Sequence, residues 1–170
     1  ICIETHLKNI DEELLKYFVK AGVKLVYVGI ESGDEQVLED SKRTTIAFDE
    51  QVEKVNMLEK NKIRVKSMYI IGQPTDTEKT CIKTINYSKK ILSTYAQFSV
   101  FTPYPGTPVF EEYKNKIITN KFEDYNQWQL IFKHENLSNK KVRKLLNRAY
   151  LSYYFNPKWI LKFFKKSIIS

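Results

Sequence analysis

The 170-residue chain has only two cysteines, two histidines, five glycines and five prolines, and no apolar run near the ~20 residues needed to cross a bilayer. Cys2 and Cys81 stand far apart, in no CxxC pair and in no cluster at metal-ligand spacing. That excludes a disulfide scaffold and a zinc or iron–sulfur site built by this chain alone. A reducing compartment fits best, so the expected location is cytoplasmic. No initiating Met and no leader of the charged-then-apolar kind precede the first structured segment, and the chain is expected to be a piece of a longer protein. Internal repeats and low-complexity tracts are also absent.

What is present is a globular composition. Hydrophobic residues make up 42% and aromatic residues 14%, too much apolar mass for a disordered chain and enough for one buried core. The formal net charge of +8 is unevenly placed. Residues 1–130 hold 18 Lys and Arg against 19 Asp and Glu, whereas residues 131–170 hold 10 against 1. The body is close to neutral and the basicity belongs to the tail.

The first 110 residues alternate strand-type runs with helical patterns, and the order predicts βαβ units and a parallel sheet. Ile1-Cys2-Ile3 reads as the tail of a buried strand. Asp11 caps a predicted helix from Glu12 to Ala21 whose stripe is Leu14, Leu15, Phe18 and Val19. Leu25 to Ile30 is nearly all apolar, as in a strand covered on both faces. Helices follow at about 34–40 and from Phe48 to Asn61, with Val52, Val55 and Leu58 inward. Then come a strand from Val65 to Ile71, a helix from Thr77 to Leu92 and a strand from Gln97 to Phe101. Pro103, Pro105 and Pro108 make 102–108 a rigid turn. Irregular segments precede two helices at about 138–152 and 157–168. A boundary is placed near 110, with a helical appendage over 111–170.

In parallel α/β architecture ligands sit at the carboxyl ends of the strands. Here those ends are Glu4-Thr5-His6, Glu31-Ser32-Gly33, Gly72-Gln73-Pro74 and Thr102 to Thr107. Glu31 follows an apolar strand, where a carboxylate can accept two hydrogen bonds from ribose hydroxyls. The plainer reading is that it caps the next helix.

Four runs in order carry a resemblance: Val28-Gly29-Ile30-Glu31-Ser32-Gly33, Lys42-Arg43-Thr44, Tyr69-Ile70-Ile71-Gly72-Gln73-Pro74 and Phe101 to Pro108. Together they resemble the radical S-adenosylmethionine (SAM) superfamily, in the branch whose members often carry an upstream cobalamin-binding domain. The resemblance covers residues 1–110, and the run from Ala149 to Pro157 matches that branch more loosely. It implies the fold class α/β, as the later part of a partial (β/α)6 TIM-like barrel with a C-terminal helical appendage. It also implies a CxxxCxxC loop outside this chain that ligates a 4Fe-4S cluster. That cluster reduces SAM to give a 5′-deoxyadenosyl radical, for methylation, cyclisation or rearrangement of an organic substrate. Cobalamin in the whole protein is a further implication.

Residue by residue, the resemblance assigns Glu31 and Ser32 to the ribose-contacting strand end and Arg43 to the SAM carboxylate. Gly72 and Pro74 fall in the loop near the adenine, and Phe101 opens the turn that closes the last strands near the cofactor. Gln73, Thr75 and Asp76 depart from the family pattern, and His6 stands where many relatives have Arg. Each residue has a plainer role: Arg43 as a solvated loop cation, Gly72 and Pro74 as turn formers, Pro103 to Pro108 as a structural turn. His6 and His134 read as ordinary polar residues.

In the tail, Lys140, Lys141, Arg143, Lys144 and Arg148 share one helix. Lys158, Lys162, Lys165 and Lys166 share the next, with Trp159, Ile160, Phe163, Phe164 and Ile168 at helical spacing. Packing of that aromatic face on the barrel is the first reading. An anionic membrane surface, peripheral at the inner face, is the second, and nucleic-acid contact ranks last. The expected partners are a small-molecule substrate and the N-terminal half of the same barrel. Two other classes stay open: a non-catalytic SAM- or partner-binding module, and a tRNA-modifying protein of the methylthiotransferase type.

Overall fold

The computed structural model describes residues 1–43 and 45–168, with side chains through Phe164. Thr44 and the side chains of Lys165, Lys166 and Ile168 therefore lie outside the described residues.

Four strands form one sheet in sequence order: β1 (Cys2–Glu4), β2 (Leu25–Glu31), β3 (Arg64–Ile71) and β4 (Tyr95–Val100). All three pairings are parallel. Parallel neighbours need crossover connections. These are α1 (Glu12–Lys20) between the first pair, α2 (Glu35–Asp40) and α3 (Phe48–Lys60) between the second, and α4 (Glu78–Ile91) between the third. This is the α/β architecture that the alternating pattern predicts.

Local chemistry sets the helix starts. Asp11 accepts the Leu14 amide at 2.7 Å, and Glu12 and Glu13 favour the positive helix N-terminus. Thr77 and Thr80 form a reciprocal capping box on α4. On α1 Leu15 is buried and Phe18 packs on the core, but Val19 is exposed, so only part of the predicted stripe meets the sheet. Val55 and Leu58 of α3 are fully buried and Val52 partly so.

Strand residues alternate between two faces. Val26, Val28 and Ile30 of β2 join Val65 and Ile71 of β3 in the core that takes in Leu15, Val55, Leu58 and Ile85 from the helices. The other face carries Tyr27, Gly29 and Glu31 from β2, Lys66, Met68 and Ile70 from β3, and Tyr95, Gln97 and Ser99 from β4, all half-buried. In a barrel this second face is the lumen. β4 begins at Tyr95 rather than Gln97, because Tyr95 already pairs with Lys66.

Beyond the proline turn come a short helix, α5 (Pro108–Tyr113), capped by Thr107, and an isolated antiparallel bridge between Ile117 and Phe132. Six residues are too few for a helical period to stand out, and the sequence pattern gives no element there.

The tail helices α6 (Asn139–Tyr154) and α7 (Pro157–Ile168) lie where predicted. Val142, Leu145, Leu146, Ala149 and Tyr153 of α6 enter the same core as the sheet. α6 also finishes the edge of β4. The Tyr154 hydroxyl accepts the Ala96 amide at 3.0 Å and donates to the Ala96 carbonyl at 2.8 Å. Tyr150 does the same for Phe98, at 3.1 and 2.9 Å. Four helical residues rise about 6 Å and two strand residues about 6.6 Å, so hydroxyls at i and i+4 meet alternate edge residues. Trp159 donates to the Thr94 carbonyl and the Gln127 carbonyl accepts the Val100 amide. The edge of β4 thus has side-chain and loop partners where another strand could pair.

Candidate functional site

The carboxyl ends of β2 and β3 are neighbours in register, with Glu31 opposite Tyr69. The loops that leave them are built differently, and α4 holds both.

At the end of β2 the register shifts between Gly29 and Glu31, and Glu31 takes a left-handed backbone with φ 66. That conformation is strained for a residue with a side chain and recurs at functional positions. The shift folds the Glu31 carboxylate back over Gly29, where Oε1 lies 2.5 Å from the position a Cβ would occupy. Its side chain is 15% exposed, and its charged neighbour is the Arg43 guanidinium at 3.5 Å. Among the described residues no hydrogen bond reaches this carboxylate. Burial raises its pKa above the ordinary value, against the opposing pull of Arg43 and His6.

Glu31 does not cap the next helix. Asp34 does, accepting the Val37 amide at 3.3 Å. Burial pushes the Asp34 carboxyl up, but the ion pair with Lys83 at 2.5 Å and the amide bond bring it below the ordinary value.

Ser32 is buried and faces α4. Its hydroxyl lies 3.2 Å from Thr84 Oγ1 and accepts the Asp34 amide at 3.1 Å. Gly33 donates its amide to Thr84 Oγ1 at 2.9 Å. A Cβ on Gly33 would stand 2.6 Å from Tyr87 Cβ and 2.9 Å from Thr84 Cα, so only glycine permits this approach of loop to helix. Thr80, Lys83, Thr84 and Tyr87 form one i, i+3, i+4, i+7 row on α4. That row positions both loops, and the sequence reading passed over it.

At the end of β3, Asp76 is buried at the centre of its loop. Its Oδ2 accepts the amides of Gly72 and Gln73, each at 2.9 Å, and its Oδ1 accepts the Thr80 hydroxyl at 2.6 Å. Burial raises its pKa in spite of these donors. Gly72 is left-handed, with φ 76, and a Cβ there would press on Leu130 and Val142 at 3.3 and 3.4 Å. Pro74 is half-buried beyond it. His134 lies 2.8 Å from the Gln73 carbonyl and Asn136 donates to the Asp76 carbonyl, so the tail segment braces this loop. The departure from the family pattern at Thr75-Asp76 thus coincides with a self-contained carboxylate-centred turn.

At the end of β4 the Phe101 amide donates to the Ile71 carbonyl, and its ring meets Tyr113 and Phe132 edge-on. Arg43 is half-exposed beside Glu31. The structure therefore brings Glu31 and Arg43 together and orders Gly72 and Pro74 on the next strand end, with Phe101 beyond. Cys2 is exposed and Cys81 is buried, with burial holding its thiol far above the usual range. Among the described residues no three His, Cys, Asp or Glu side chains gather as metal ligands, and no helix is long and apolar enough to cross a membrane.

The model of the radical SAM superfamily matches residues 1–87, half of the chain. An uncharacterised methyltransferase of Pyrococcus horikoshii is 30% identical over 93% of this chain and 35% of its own length. The anaerobic magnesium-protoporphyrin IX monomethyl ester cyclase of Cereibacter sphaeroides is 30% identical over 68% of this chain and 19% of its own. Among solved structures, the radical SAM methyltransferase TsrM from Kitasatospora setae, with cobalamin and a [4Fe-4S] cluster bound, superposes with a TM-score of 0.60. That match covers 67% of this chain and 21% of TsrM at 21% identity, and it bears on the fold alone. The chain spans about a third or less of the length of these proteins. With the family match over half its length and the parallel sheet and strand-end loops in place, the chain belongs to the radical SAM superfamily.

Proposed function

We propose that the ends of β2 and β3 hold the nucleoside of SAM, with Glu31 accepting the ribose hydroxyls. The observation that carries this reading is the Glu31 carboxylate itself. It is half-buried, held by a strained backbone, and without a hydrogen-bond donor among the described residues. A buried acceptor without donors is costly, and a ligand diol supplies two. Arg43 provides a charge-assisted contact for the SAM carboxylate. Gly72 and Pro74 offer backbone to the adenine, and Phe101 closes the far side. Ser32 serves by holding the loop on Thr84.

The donor set does not fit an iron–sulfur cluster, since two separated cysteines cannot replace three clustered thiolates. No step is therefore drawn through the cluster within this chain. The whole protein is proposed to supply it from the N-terminal part of the same barrel and to act on a small organic substrate by SAM-dependent methylation or cyclisation. Cobalamin is proposed as its second cofactor, since one structural relative has cobalamin bound. Residues 1–110 form the cofactor-binding portion, and the segment beyond it, from Gln127 to Trp159, covers the β4 edge and the β3 loop. Exposed Leu161 and Phe164 beside Lys158 favour a secondary reading of α7 as a contact for an anionic membrane face. A cytoplasmic location accords with both.

Titration calorimetry with S-adenosylhomocysteine tests the site. Micromolar binding is expected for the chain, weakened at least about tenfold by Glu31→Ala and several-fold by Arg43→Ala. Binding indifferent to Glu31 would sink the proposal.

A further inference from the structure

The lumen face holds a groove of about 630 Å³, a size suited to a small-molecule ligand. Strand register places Glu4, Tyr27, Lys66 and Tyr95 in a single row across the four strands. Three of these, Tyr27, Lys66 and Tyr95, line the groove, with Gln97 and Ser99 nearer the strand ends and Trp128 at the rim. Among the described residues Lys66 supplies the only charge in that lining, and no carboxylate borders it. Its ammonium sits 5.2 Å from the centroid of the Tyr27 ring. Among the described residues no ion pair engages it. Glu4 shares the row but lies two strands away, about 9.5 Å in the hydrogen-bonding direction.

The ring face of Tyr27 attracts the Lys66 ammonium, and an anionic group in the groove would add a charge-assisted hydrogen bond to it. Lys66 stands between Tyr27 and Tyr95 in its row, and Trp128 adds a third flat ring to the groove from the segment beside β4. Flat aromatic walls favour a flat, unsaturated ligand body by stacking and edge contacts. Gln97, whose amide donates to Ser99 Oγ, offers further polar contacts on the path toward Glu31.

We propose that this groove is the substrate site, and that it takes a flat, unsaturated small molecule bearing an anionic group, with Lys66 reading the charge. The assignment of the groove to the substrate rests on the reading of the strand ends as the SAM site. The groove and its preference for an anion rest on the lining alone.

The test uses three probes with one ring system: 2-naphthoate, 2-naphthyl phosphate and 2-naphthamide. Equilibrium binding to the chain is measured for the parent, Lys66→Met and Lys66→Arg. At least one anion should bind about tenfold more tightly than the amide. That preference should vanish in Lys66→Met and return in Lys66→Arg, and the tighter anion identifies carboxylate or phosphate as the group read. Equal binding of all three probes, absence of binding, or a preference that survives Lys66→Met would overturn the proposal. Thermal unfolding of Lys66→Met should match the parent, since the side chain fills no core position. S-Adenosylhomocysteine is titrated in parallel with Glu31→Ala. Loss of the Glu31 effect with the naphthalene preference intact rejects the SAM reading and spares the groove, and the converse rejects the groove alone.

Discussion

Two carboxylates stand at neighbouring strand ends, both half-buried or deeper, both with raised pKa values, and they do opposite things. Asp76 is the structural centre of its loop, with two backbone amides and a hydroxyl donating to it. Glu31 has none of these. Its loop is shaped instead by Ser32, Gly33 and Asp34, which are fastened to α4, and the carboxylate is left over a glycine beside Arg43. Burial and a raised pKa are common to both, so neither identifies a binding group. The difference lies in whether the fold itself satisfies the acceptor.

The largest effect expected from a test of this contrast is at Gly33. Gly33→Ala puts a methyl inside the backbone of α4 and should cost about 3 kcal/mol, lowering the melting temperature by roughly 10 °C. A near-neutral result would show that the β2 loop is not held by α4.

Next is Asp76→Ala, which leaves two amides and a hydroxyl without their acceptor and should cost about 2 kcal/mol in urea unfolding. Asp76→Asn keeps one acceptor oxygen and should cost less. Equal loss in both would place the function of Asp76 in its charge rather than its acceptor geometry.

Glu31→Gln should separate binding from stability. Burial makes the folded pKa of Glu31 higher than the unfolded one. Its contribution is therefore fully present below the ordinary carboxylate value, about pH 4, and is lost as pH rises through the raised value. At pH 7 the glutamine variant should accordingly melt a degree or two higher than the parent, with the curves converging below about pH 4. S-Adenosylhomocysteine binding should fall in the same variant. A drop in both stability and binding would make Glu31 structural, like Asp76.

The smallest change belongs to Lys83→Met. Its partner Asp34 is buried but the lysine is half-exposed, and the loss should stay below about 1 kcal/mol.

Much of the fold is legible in the sequence. The capped start of α1, the parallel strands, α4 and both tail helices follow from local periodicity and cap chemistry, within a residue or two. The strand ends are also found there, because a parallel sheet fixes where its loops emerge. Less legible is what each loop residue faces. Ser32 reads as a ligand contact and turns to Thr84, 52 positions away. Lys66 and Tyr27 carry no motif, and only register sets them side by side. Tyr150 and Tyr154 read as part of a loosely matched aromatic run, while their hydroxyls pair with the backbone of β4.

The sequence by itself determined the α/β order, the superfamily and the four strand ends, since these depend on short-range period, turn chemistry and motif spacing. The tertiary structure decided that Glu31 stands beside Arg43 without a hydrogen-bond donor among the described residues, which edge of the sheet is covered and that Lys66 lies in the lumen groove. The covered edge and the place of Lys66 depend on contacts between residues some 40 to 60 positions apart, which leave no local pattern to read, whereas the donors that satisfy Asp76 lie within four positions of it.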